Sequence, residues 1–258
     1  MIAAMKNLIL LIGLLFITGC ATVENNFDPL ESMNRKVDGF NTALDEATLR
    51  PISKGYVAVV PEGVRHSVTN FFHNLQEPNT IVNDVLQGKV VQGLADTARF
   101  VINTTVGVAG LFDVASHLNL KRNQEDFGQT LAVWGVNQGA YIVYPVIGPS
   151  AVRETPGLVV SWLLDLSSYA SMYLSPEATI ATYVLKYTDE RAGIEDFVKM
   201  RDEMALDAYV FVREGWRQNR EYRVFDGNPP AKPQGETDEF ADEFADEFAD
   251  EPKDEFNH

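Results

Sequence analysis

A single cysteine, Cys20, stands among the 258 residues, which excludes an internal disulfide framework and any cysteine-based zinc site. Four histidines, His66, His73, His117 and His258, show no ligand spacing, so neither a metal nor a cofactor is expected. Bases are scarce as well: 21 lysines and arginines face 37 acids, for a net charge of -16. The imbalance sits mostly at one end, since from Glu236 onward 11 acids meet only Lys253, while residues 1–235 hold 26 acids and 20 bases. With no basic stripe, nucleic acid is not an expected partner. Catalytic patterns are missing too. Gly-x-Ser-x-Gly is absent, Gly148-Pro149-Ser150-Ala151-Val152 being the nearest approach, no histidine has the context of a triad, and no Gly-x-x-x-x-Gly-Lys-Ser/Thr occurs. The sequence therefore predicts no catalytic residue and no enzyme.

What is present begins with a composition, 45% hydrophobic and 22% charged, that suits one or two packed domains. Residues 1–19 read as a signal peptide: Lys6, the apolar run Leu8 to Ile17, then Thr18-Gly19 before Cys20. Ten apolar residues extend about 15 Å as a helix, too short for a hydrocarbon core about 30 Å thick. Ile17-Thr18-Gly19-Cys20 resembles a bacterial lipobox, which implies that Cys20 becomes the first mature residue, an N-palmitoyl, S-diacylglycerol cysteine. More than one acyl chain, at about 0.8 kcal/mol per buried methylene, gives stable anchoring. Ala21 rather than Asp after the cysteine points to outer-membrane delivery. Residues 20–26 are then a lipidated linker.

Beyond it, Asp28-Pro29-Leu30-Glu31 supplies an N-cap acid, a first-position proline and a third-position acid. Leu30, Met33, Val37, Phe40 and Leu44 recur at helical spacing to about Asp45. Pro61 opens another helix, with further helical stretches at Thr80 to Gln87 and Val91 to Asn103, broken at Gly107 to Gly110. Between Gly128 and Gly157 the glycines and prolines allow at most a short strand or hairpin around Tyr141-Ile142-Val143-Tyr144. Leu158 to Leu166 is apolar nearly all round, which fits either a buried helix or a lipid-facing one. Ser175-Pro176-Glu177 and Thr188-Asp189-Glu190 are read as helix starts, the second running with an interruption towards Arg223. Asp28, Arg35, Arg50, Arg99, Arg153 and Glu154 lie beside apolar runs and are expected as ion pairs that fix helix register, or as headgroup contacts. Phe71, Phe72, Trp134, Tyr141, Tyr144 and Trp162 suit either a core or an interfacial belt. Residues 226–258, with Asp238-Glu239-Phe240-Ala241 and its copies, carry too dense a like charge to pack and form a predicted disordered acidic tail.

Several phrases then occur in consistent order from about residue 25 to residue 225. They include Asp28-Pro29-Leu30-Glu31 with Asn34-Arg35, Phe40-Asn41 with Leu44-Asp45, Asn70-Phe71-Phe72, Arg99-Phe100 with Asn103-Thr104-Thr105, Asp113-Val114-Ala115, Phe127-Gly128-Gln129-Thr130-Leu131, and Gly148-Pro149-Ser150 with Arg153. This resembles the MlaA, or VacJ, lipoprotein family. The resemblance implies an all-α, doughnut-like bundle of amphipathic helices over residues 27–225, embedded in the periplasmic leaflet of the Gram-negative outer membrane around an amphipathic pore. It implies removal of misplaced phospholipids from the outer leaflet. The implied partners are phospholipids, a trimeric outer-membrane porin, a soluble MlaC-like periplasmic carrier and, indirectly, an inner-membrane ABC transporter. It also marks Phe40 and Asn41, on the first helix, as a gating or pore-associated pair. A porin-associated structural lipoprotein and a lipid hydrolase are the alternatives.

Overall fold

The computed structural model describes residues 27–230. The signal segment, Cys20 and the acidic repeats lie outside the described residues. Eleven α-helices are described: α1 Glu31–Ala47, α2 Leu49–Val59, α3 Glu62–Leu86, α4 Val90–Thr105, α5 Val114–His117, α6 Phe127–Val133, α7 Thr155–Leu164, α8 Ala170–Tyr173, α9 Pro176–Gly193, α10 Glu195–Met204 and α11 Ala208–Val224. The strands β1 Tyr141–Tyr144 and β2 Gly148–Ala151 pair antiparallel, with Tyr141 opposite Ala151 and Tyr144 opposite Gly148. The molecule is thus mostly helical with one small hairpin, as its sequence predicts.

Several local expectations are corrected. Asp28 does not cap α1, whose N-cap is Leu30 with no side-chain bond; Asp28 is instead buried and accepts hydrogen bonds from Asn34, Tyr209 and Arg213. Pro61 does precede a helix, but that helix runs unbroken to Leu86 with Pro78 inside it. Thr80 to Gln87 is therefore its last turns and not a separate element. Thr188-Asp189-Glu190 starts nothing: it lies within α9, where Thr188 and Asp189 are buried.

The distribution of polarity is inverted. Among the described residues eight hydrophobic side chains are buried against 23 polar or charged ones. Large apolar side chains instead face outward, among them Val91 at 83% exposure, Leu94 at 66% and Trp162 at 60%. A water-soluble body of this size buries its aliphatic residues and rarely exposes apolar patches beyond a few hundred Å², so the solvent for this exterior is lipid or another apolar surface. The helix α7 resolves accordingly towards its lipid-facing reading, with Val159, Trp162 and Leu163 exposed. Among the described residues no helix is long and apolar enough to cross a membrane.

Polar contacts consequently hold the helices together. α3 and α4 form an antiparallel pair bridged by Asn74 Nδ2 to Thr104 Oγ1 at 2.9 Å and Arg99 Nε to Glu77 Oε1 at 3.5 Å. α11 docks through two arginines seven residues apart, about two turns. Arg213 reaches Asp28 at 3.4 Å, and Arg220 reaches the Asp126 carboxylate at 2.5 and 2.6 Å and also Glu154. Glycine is required where that last pair passes α6: a Cβ on Gly128 would lie 1.6 Å from Glu154 Oε2. The ion pairs expected of Asp28, Arg35, Arg50, Arg99, Arg153 and Glu154 all form.

Candidate functional site

On α1 the expected apolar stripe and the inward face are different lines. At about 100° per residue, Met33 and Phe40 lie well round the helix from Asn34 and Asn41. Met33 and Phe40 are 47% and 54% exposed, whereas Asn34 is fully buried and Asn41 half-buried. The inward line is amide-bearing, and it meets the unpaired edge of β1. Asn34 Nδ2 donates to Tyr141 O at 3.1 Å while its Oδ1 accepts from Val143 N at 2.9 Å. Seven residues on, Asn41 Nδ2 donates to Tyr144 O at 2.9 Å and its Oδ1 accepts from Val146 N at 2.8 Å.

A primary amide presents a carbonyl acceptor and an N–H donor, as a peptide unit does, with one further N–H. Two such amides spaced by two turns therefore substitute for a neighbouring strand along β1. This satisfies edge groups that would otherwise be unpaired. The second clamp holds a strained turn: Val146, a β-branched residue, has φ 68°, a conformation disfavoured outside glycine and asparagine. Val146 and Ile147 at the hairpin tip are 71% and 63% exposed. The pair Phe40 and Asn41 is thus divided in role, with Asn41 gripping the tip and Phe40 turned to the exterior. Further along the same face, Asp45 accepts from Arg191 of α9 at 2.8 Å.

A second polar assembly lies between α3, α4 and residues 111–122. Asn103 and Arg99 converge on the Asp113 carboxylate, at 2.9 and 3.1 Å, and Ser116 N–H bonds it as well. Burial raises the Asp113 pKa, but the bonds from Ser116, Asn103 and Arg99 outweigh it and hold the group at about 2. Glu77 is pushed up to about 7 by burial and by Asp96. Burial, assisted by Arg122 and Arg99, holds His73 down at about 4. These groups enclose a cavity of about 20 Å³, room for one water. Asn70 and Asp113 are shared with an adjoining open cleft of about 350 Å³, bounded by His66, Ser67, Phe112 and His117. The fold thereby brings together three of the four histidines that the sequence scatters, although among the described residues no group of side chains could hold a metal ion.

One further buried pair has no signature in the sequence. Asp84 and Asp96, facing each other from α3 and α4, are both fully buried. Burial and the neighbouring Asp96 carboxyl push the Asp84 carboxyl well above the usual carboxylate range.

The family model "MlaA lipoprotein" matches residues 26–223. The protein of Shigella flexneri named "Intermembrane phospholipid transport system lipoprotein MlaA" is 33% identical over 87% of this chain and 90% of its own length. Its counterpart of the same name from Escherichia coli K12 is 32% identical over the same shares. An uncharacterised protein of Rickettsia bellii is 34% identical over 81% of this chain and 80% of its own. A solved structure reported as "Structural basis for maintenance of bacterial outer membrane lipid asymmetry" superposes with a TM-score of 0.66 at 32% identity, covering 78% of this chain and 99% of that one.

Proposed function

The chain belongs to the MlaA lipoprotein family, and from that premise we propose that it removes mislocalised phospholipids from the outer leaflet of the outer membrane. They pass through an amphipathic pore to a soluble MlaC-like periplasmic carrier, which maintains lipid asymmetry. The observation that carries the reading is the inverted body, apolar outside and polar inside, with no described helix both long and apolar enough to cross a membrane. A phospholipid headgroup loses many kcal/mol of hydration in hydrocarbon while its tails prefer to remain there. A polar interior within an apolar shell lowers the first cost without imposing the second.

Cys20 carries the acyl anchor in this proposal, a trimeric porin holds the body in the periplasmic leaflet, and an inner-membrane ABC transporter receives lipid from the carrier. The protein supplies a path and does no covalent chemistry. Phe40 and Asn41 act as a gating pair; what supports this is the Asn41 grip on the hairpin tip beside an outward Phe40.

The test is reconstituted transfer of labelled phospholipid from proteoliposomes to a purified periplasmic carrier. Protein-dependent transfer of intact lipid is expected. Porin binding without transfer would leave a structural lipoprotein, and release of lysolipid or free headgroup would make the chain a hydrolase.

A further inference from the structure

The cleft beside α3 has the shape and charge of a headgroup site. Its walls are the N-terminal half of α3 and residues 111–117, and it is about 350 Å³ in volume. One lip is apolar and outward, with Phe112 57% exposed and Leu111 37% exposed. The opposite wall presents His66, Ser67 and Asn70, with His117 across from them. Past Asn70 the cleft continues into the small cavity lined by His73, Glu77, Arg99 and Arg122.

The charges there do not cancel. Asp113 is consumed by Arg99, Asn103 and Ser116. Among the described residues Arg122 makes no ion pair within 4.0 Å; its side-chain partner is the Gln124 amide carbonyl, and its Nε is buried with no acceptor. Glu77 is 4% exposed and its Oε1 also lacks a hydrogen bond. The groups acting on Arg122 are Glu77, Asp113, Arg99 and Arg223; of the two acids, Asp113 is already matched, and burial raises the Glu77 pKa, which disfavours its charge. A desolvated guanidinium without a carboxylate, behind two histidines and a hydroxyl, is a receptor for an oxyanion. The apolar lip adds a requirement that free phosphate does not meet.

Resting on the transport reading above, we infer that this cleft is a docking station for the phosphodiester of a glycerophospholipid, with the phosphate drawn to Arg122 past Asn70 and the acyl chains leaving over Phe112. Burial is the main cause that keeps His73 neutral, and an anion beside Arg122 counters the two guanidiniums that add to it. His66, in the cleft wall, lies 3.4 Å from Glu62 at the exposed end.

The experiment uses the full chain in detergent micelles, with imidazole NMR signals of His66, His73 and His117 followed during addition of short-chain phosphatidylglycerol, short-chain diacylglycerol or inorganic phosphate. Phosphatidylglycerol is expected to shift all three signals saturably and to raise the His73 pKa. Diacylglycerol is expected to leave them in place, and inorganic phosphate to need at least tenfold higher concentration. Arg122→Gln should weaken the phosphatidylglycerol response about tenfold, and Ser67→Trp, which fills the cleft mouth without touching the buried cluster, should abolish it. Equal responses to diacylglycerol, tighter binding of inorganic phosphate than of the lipid, or an unchanged affinity in both variants would each overturn the assignment. Lipid transfer by the wild type with no histidine response would sink the cleft and leave the transport reading standing; histidine binding with no transfer would do the reverse.

Discussion

Replacing Asn41 by alanine removes both hydrogen bonds that hold the hairpin tip, the 2.9 Å contact to Tyr144 O and the 2.8 Å contact from Val146 N. Each is worth about 0.5–1.5 kcal/mol net. The tip is exposed, so water takes over the freed groups and the cost stays near the lower half of that sum, about 1–2 kcal/mol. Val146, held at φ 68°, has a strain of about 1 kcal/mol to release by leaving the left-handed region. That strain is present with or without Asn41 and cancels from the comparison, so the two lost bonds alone favour opening of residues 144–147, by about 1–2 kcal/mol, which is about a five- to thirtyfold rise in the open population. Asn34→Ala is the contrasting change. That side chain is fully buried and bonded to Asp28, Tyr141 and Val143, so its loss leaves three buried groups unpaired at about 1–3 kcal/mol each. That approaches the whole stability of a domain, about 5–15 kcal/mol. Amide hydrogen exchange in micelles, with thermal unfolding of both variants, measures the difference. Asn41→Ala should speed exchange at Val146 by about five- to thirtyfold with little change in melting, and Asn34→Ala should lower melting steeply. If Val146 exchange is unaltered in Asn41→Ala, the amide clamp is not what holds the tip.

Deleting Phe40 and Asn41 together rotates the rest of α1 by about 200°, places Ala43 at the clamp position and turns Asp45 away from Arg191; expressed beside the intact protein it should raise outer-leaflet phospholipid dominantly, and a recessive outcome would reduce the pair to packing. For pH, Asp84 and Glu77 hold protons in the folded state that the unfolded chain releases near pH 4, so their share of stability is full below pH 4 and is lost as pH rises towards 7 and above. Melting of Asp84→Asn should therefore exceed wild type at pH 8 and fall less steeply between pH 5 and 8; the charged groups acting on Asp84 are Asp96, Glu125 and Lys89. Cys20→Ala should leave an uncleaved precursor without acyl chains, read by mass spectrometry, and an unmodified mature Cys20 in wild type would remove the anchor from the proposal.

The helix start at Ser175 was legible in the sequence because its chemistry is local, whereas the caps at Asp113, Asp126 and Asp207 were not singled out. Ser175 before Pro176 accepts from Ala178 N at 3.3 Å, as its spacing predicts. Thr188-Asp189-Glu190 carries the same local signal and fails, because Asp189 is used by distant partners, Tyr56 at 2.9 Å and Thr69 at 2.7 Å. Asp28 fails as a cap for the same reason, being drawn to Tyr209 and Arg213 some 180 residues later. Periodicity located the apolar stripe of α1 correctly but could not say which side was solvent: a period reports an amphipathic face, and its sign depends on the medium outside. The histidine cleft and the Asp84–Asp96 pair were invisible, since both arise from packing of segments without any fixed spacing.

The inversion also explains why this interior is built of charges that ordinary domains avoid. When the exterior medium is apolar, burying a leucine between helices gains little over leaving it in lipid, so the drive for helix association passes to hydrogen bonds, ion pairs and close packing. Arg220 illustrates the result. Removing one member of a buried charge pair costs about 3–5 kcal/mol, and Arg220 joins Asp126 from the start of α6 and Glu154 from the start of α7 to the final helix, with Gly128 leaving space for the contact. Three segments distant in sequence are tied at one guanidinium, in a region where apolar packing alone would let them slide. The same residues that lock the helices make the interior hospitable to a headgroup, so stability and conduction draw on one set of polar side chains. Substitutions that make this interior more apolar therefore trade a polar path for packing, whereas substitutions on the outer face, at Val91 or Trp162, leave both the helix contacts and the polar interior in place.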